Sequence, residues 1–66
     1  MFKVVDAVQV NDLLIAELLE LDTGKRRLRL RPVNPSVYFR THTKVDLTLR
    51  ELDLIVTMVH RNPKEN

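Results

Sequence analysis

The stretch Leu14-Ile15-Ala16-Glu17-Leu18-Leu19-Glu20-Leu21-Asp22-Thr23-Gly24-Lys25-Arg26-Arg27-Leu28-Arg29-Leu30-Arg31 decides the fold. From Arg27 to Arg31 basic and apolar residues alternate without interruption, which is the period of a strand with one face on a core. Asp22-Thr23-Gly24-Lys25 has the composition of a tight turn, in which Gly24 can adopt positive φ. The first half is ambiguous. Leu13, Leu14, Glu17, Leu18 and Leu21 also fit one side of a helix, and Leu is a strong helix former. The turn favours strand for residues 14–21, because a hairpin needs a strand on each side; a helix there would change the fold.

Working outward, Phe2 to Val10 reads as a β-branched strand with Phe2, Val4, Val8 and Val10 on one face, interrupted by Asp6. Asn11-Asp12 suits the turn that follows it. Downstream, Pro32, Asn34 and Pro35 mark a loop. Val37 to Val45 reads as a further strand, with Val37, Phe39 and Val45 on one side. The last element is a helix. Thr48 can cap it, and Glu51 completes a capping box. Leu52, Ile55, Val56 and Val59 form an apolar stripe at helical spacing, and Asn62-Pro63 ends it. Leu54 and Met58 lie off that stripe and give a second apolar edge.

The expectation is an α+β fold of order β-β-β-β-α. It is a four-stranded antiparallel meander followed by one C-terminal helix packed over one face. A single domain spans residues 1–61, and residues 62–66 are expected to form a flexible, polar C-terminal tail. The expected core sets the helix stripe against Phe2, Val4, Val8, Leu28, Leu30, Val37 and Phe39. One helix cannot cover a four-stranded face, so the edge at Leu54 and Met58 is the expected contact of a homodimer.

At 66 residues and without cysteine, the chain has neither a disulfide nor a thiolate metal site to support it. Its hydrophobic fraction of 44% supplies a core and argues against disorder. No apolar run is long enough to span a bilayer. The beginning of the chain does not read as a signal peptide, so an intracellular location is expected.

The net charge of +2 conceals a strong segregation: −4 over residues 1–24, +7 over residues 25–44 and −1 over residues 45–66. Strand alternation sets Arg27, Arg29 and Arg31 on one face and Leu28 and Leu30 on the other. In the same way Tyr38, Arg40, His42 and Lys44 share a face. If those strands are neighbours, the two rows form one basic surface with an aromatic ring, away from the helix. Such a surface, with Lys25 beside it, suits single-stranded nucleic acid. Cations neutralise phosphates, and aromatic rings and guanidinium planes stack on bases. Against this stands a solvated strand face that carries charge to prevent aggregation. The absence of any acid across residues 25–44 weighs against that plainer reading, because solubilising surfaces mix signs.

No other constellation carries chemistry. His42 and His60 lack the companions of a metal site, and His60 suits the end of a helix. There is no nucleophile–base pattern and no Gly-rich phosphate loop, so the chain does not read as an enzyme and no cofactor is expected. Asp12, Glu17 and Asp22 read as solvated or turn residues.

At Val45-Asp46-Leu47-Thr48-Leu49-Arg50-Glu51-Leu52 the chain resembles the positive cofactor four family of single-stranded-DNA-binding transcription proteins. In that family a final strand runs through a leucine and a Thr or Asn cap into the only helix, and Leu47, Thr48 and Leu52 stand at the corresponding positions. The chain lacks the family's glycine before the last strand and its proline in the first helical turn, and has Leu52 in place of a tryptophan. The resemblance implies a homodimer joined through its helices, with basic sheet surfaces gripping unpaired DNA in transcription regulation or replication. The competing expectation is a small protein-interaction module, such as a viral or regulatory inhibitor. It would dock a larger enzyme through its basic face or a sheet edge. A third, duplex-reading role for the helix is opposed by Glu51 and Asp53 beside Arg50.

Overall fold

The structure, a computed structural model, describes residues 1–37 and 44–64. Three strands, β1 (Phe2–Gln9), β2 (Leu14–Leu21) and β3 (Arg26–Pro32), form an antiparallel sheet in that order, followed by helix α1 (Leu49–His60). The segment read as strand or helix is therefore a strand, and it is the central one. Gly24, with φ of 87°, closes the β2–β3 turn, where its N–H donates to Leu21 O at 2.9 Å. Asn11 shapes the β1–β2 turn: its Oδ1 accepts from the N–H groups of Leu13 and Leu14 at 2.8 and 2.9 Å. Its Nδ2 donates to the Glu51 carboxylate, tying this turn to the start of α1.

The helix begins as its sequence dictates. Thr48 Oγ1 accepts from Glu51 N at 3.1 Å, and the Glu51 carboxylate accepts from Thr48 N at 2.7 Å, the reciprocal pair of a capping box. The core joins Val10, Leu14, Ala16 and Leu18 to Ile55 and Met58, with Val5, Val8, Leu30, Val45, Leu47 and Val59 around it. Small Ala16, fully buried near the start of β2, lets the helix approach the sheet.

Several expectations are corrected. The sheet has three strands among the described residues, not four. The expected strand Val37–Val45 is not formed by its described members: Val37, Lys44 and Val45 lie outside any strand, and residues 38–43 lie outside the described residues. After β3 the chain turns instead of pairing. Asn34 Oδ1 accepts from the N–H and hydroxyl of Ser36, and Val37 N donates to Asn34 O at 3.0 Å. Val45 and Leu47 then pack on the core rather than joining a ladder.

The helix stripe is rotated by about one position. Ile55 and Met58 are buried, while Leu52 and Val56 are exposed. Met58 thus belongs to the core and not to an outer edge, whereas Leu54 is partly exposed. Leu28 and Val37, expected in the core, are about half exposed, since α1 lies over the β1–β2 side of the sheet. Phe39 lies outside the described residues.

A bulge between Val4 and Asp6 corrects the first strand. Val4 pairs with Leu19 and Asp6 with Leu18, so the extra residue Val5 reverses the alternation. Val5 and Val8 pack on the core, but Phe2 and Val4 point to the face away from the helix. Finally, Asn62 is anchored rather than loose. Its Nδ2 donates to Met58 O at 2.9 Å and to Asp6 Oδ2 at 2.6 Å, and its carbonyl accepts from Arg26.

Candidate nucleic-acid interface

The face of the sheet opposite α1 is built by register. On β3, Arg27, Arg29 and Arg31 stand opposite Leu19, Glu17 and Ile15 of β2, and beyond these lie Phe2, Val4, Ala7 and Gln9 of β1. One half of the face is therefore apolar and the other half is a row of arginines.

Glu17 sits at the middle of this face and is 5% exposed. Its Oε1 accepts from Arg29 Nε at 3.0 Å and forms ion pairs with Arg29 Nη2 at 2.9 Å and Arg31 Nε at 3.2 Å. A buried carboxylate loses much hydration, and the Arg29 hydrogen bond and the charges of two guanidinium groups replace it. The trio retains one positive charge. Arg29 Cζ also lies 4.8 Å from the centroid of the Phe2 ring, a cation–π contact. Phe2 itself is 47% exposed.

The remaining expected residues divide clearly. Lys25 is exposed in the β2–β3 turn and Arg27 is exposed on the arginine row. Neither has an ion-pair partner within 4 Å among the described residues. Lys44 is exposed but outside any strand, and Tyr38, Arg40 and His42 lie outside the described residues. Arg26 points to the helix side, where its Nε donates to Glu20 at 3.2 Å. Lys3 Nζ lies 3.2 Å from the same carboxylate. Lys3 first, and Arg26 second, hold the Glu20 carboxyl below its ordinary range.

Sequence reasoning missed Phe2 and Glu17. Phe2 was concealed by the bulge, which no residue of Val4-Val5-Asp6 announces. Glu17 was legible: counting outward from the turn at Thr23 places it opposite Arg29. Among the described residues no three His, Cys, Asp or Glu side chains gather as a metal site. No described helix is long and apolar enough to cross a membrane. No protein-family model, curated protein or solved structure matches the chain.

Proposed function

We propose that the chain binds single-stranded nucleic acid across the open face of its sheet, in a role in transcription or replication. The observation that carries this reading is the union, on a face the helix does not cover, of a half-exposed aromatic ring with three arginines in a row. Aromatic rings stack on any base, and arginines neutralise phosphates and release counterions. A flat sheet suits splayed bases better than a duplex groove. The entry into α1 through Leu47 and the Thr48 cap is the feature shared with the positive cofactor four family, and the role implies an intracellular setting.

The test is fluorescence anisotropy with a labelled single-stranded oligonucleotide at low and moderate salt, with the duplex of the same sequence as control. Binding that favours the single strand and falls steeply with salt is expected. Replacing both Arg27 and Arg31 by Gln is expected to weaken every sequence similarly and to flatten the salt slope. Unaltered binding by that double variant would overturn the site. No binding at low salt would turn the reading toward an acidic protein partner.

Self-association is part of the same reading. What supports it is the row Leu49, Leu52 and Val56 on the outer side of α1, exposed by 85%, 46% and 41%. A second copy docked there would cover all three. Leu52→Glu is then expected to convert a dimer to a monomer in sedimentation equilibrium, and a monomeric parent protein would remove this element.

A further inference from the structure

We propose that Arg29 is a stacking platform for a planar ring rather than a phosphate clamp, and that Glu17 is the positioning residue that makes it so. The inference rests on the nucleic-acid reading above and specifies how the face divides its ligand: a nucleobase at Arg29 and Phe2, phosphates at Arg27 and Lys25.

The geometry of the guanidinium carries the argument. An arginine holds a phosphate by a planar fork of N–H groups. In Arg29 the side-on edge is already occupied by Glu17 Oε1, to which Nε donates at 3.0 Å and from which Nη2 lies 2.9 Å away. A phosphate at that edge would have to displace Glu17, and one at the remaining Nη1 end would sit close to a carboxylate that cancels half the charge of Arg29 and Arg31 together. Displacement is costly, because it would leave Glu17, 5% exposed, without its partners. One side of the guanidinium rests over Phe2, and the rest of the side chain stays accessible. Arg29 stands 4.8 Å from the Phe2 ring centroid, and both groups stay accessible, Arg29 at 42% and Phe2 at 47%. Held by Glu17 over the Phe2 ring, the guanidinium forms a layer with it, and a nucleobase can stack on the outer side of that layer at little cost in lost side-chain freedom.

Two residues along the same row the chemistry is reversed. Arg27 stands opposite Leu19, an apolar residue, and has no carboxylate within 4 Å among the described residues. Its whole fork is available to a phosphate. Lys25, next to the turn, is exposed in the same way. One buried acid in the central strand therefore separates two neighbouring arginines of identical type into two functions.

The experiment compares a single-stranded DNA oligonucleotide with one of equal length whose sugars carry no bases. Anisotropy is read over a salt series, and circular dichroism confirms that each variant is folded. The protein is expected to prefer the base-bearing strand by about fivefold or more, the range of aromatic and guanidinium stacking. Arg29→Lys keeps the charge and removes the plane. It is expected to abolish most of that preference while changing affinity for the base-free strand by less than about twofold, since the electrostatic share depends on charge. Arg27→Lys is expected to leave the preference intact. Glu17→Gln is expected to reduce the preference and steepen the salt dependence, because two guanidinium groups become available to phosphate. Equal binding of the two strands, or an unaltered preference in Arg29→Lys, overturns the inference while leaving nucleic-acid binding in place. Failure of both strands to bind at low salt overturns the nucleic-acid reading and this inference together.

Discussion

Asp6 and Arg61 meet in a 2.7 Å ion pair that ties the bulged strand β1 to the end of the helix. Asn62 joins the pair by donating to the same Asp6 oxygen, and Arg26 of β3 reaches the Asn62 carbonyl. Two strands and the helix end are thus fastened around one carboxylate, at the opposite end of α1 from the bond between Asn11 and Glu51.

This arrangement makes stability fall in acid. Arg61, then Asn62, then the Ala7 N–H hold the Asp6 carboxyl well below the usual carboxylate range. Thr48 N and Asn11 lower Glu51 in the same direction. A carboxyl group depressed by folding contributes stability above its unfolded pKa, about 4, and that contribution is lost as pH falls toward the folded value. The melting temperature is expected to be level from about pH 7 to about pH 5 and to decline below about pH 4. Asp6→Asn should melt lower at neutral pH and decline less steeply, as followed by circular dichroism. Equal acid slopes for the two proteins would remove Asp6 from the explanation.

Met58 and Leu54, four positions apart on α1, are expected to respond very differently to truncation. Met58 is fully buried against Ala16 and its neighbours, so Met58→Ala should cost about 2–5 kcal/mol. For a domain of this size that is most of the available stability, of order 3–5 kcal/mol, and the variant should be largely unfolded in mild urea. Leu54, 39% exposed, should cost about 1 kcal/mol or less as Ala. Urea titration of both variants separates the observed helix orientation from one rotated by a position.

Thr48→Ala removes the helix cap and should cost about 1 kcal/mol. Asn11→Ala removes the turn bonds to Leu13 and Leu14 and the bond to Glu51. The Thr48 hydroxyl holds the Glu51 N–H and Asn11 holds the Glu51 carboxylate, so both substitutions loosen the same residue and the double variant should lose less than the sum of the single losses. Strict additivity in denaturant melts would show that the two ends of this link act independently.

Phe2→Ala should weaken single-strand binding by about fivefold or more, while Phe2→Trp should preserve it. The ring is half exposed and outside the core cluster, so the melting temperature should move little. Loss of folding in Phe2→Ala would instead assign the ring a structural role.

What the sequence revealed follows from local physics. The turn at Asp22–Lys25 set the β2–β3 pairing, and with it the outward row Arg27, Arg29 and Arg31. The Thr48–Glu51 capping box set the start of α1. The rest depended on tertiary balance. Nothing in Val4-Val5-Asp6 signals an extra residue, yet that single insertion moves Phe2 from core to surface. Leu52 and Met58 are both apolar, so spacing alone did not select which of two adjacent stripes meets the sheet; packing with the core residues of β1 and β2 did. The fourth strand was expected because Val37 and Val45 alternate suitably, but alternation does not distinguish pairing in a ladder from packing on a core.

The bulge in β1 has a colloidal consequence. A straight outer strand is a template on which identical chains can add, each presenting a regular comb of amide groups to the next. In β1 the comb is broken midway, between Val4 and Asp6, and Asp6 beside the break is already bound to the helix end. The displacement that brings an aromatic ring to the surface thus also interrupts this edge as a template on which a further strand could add.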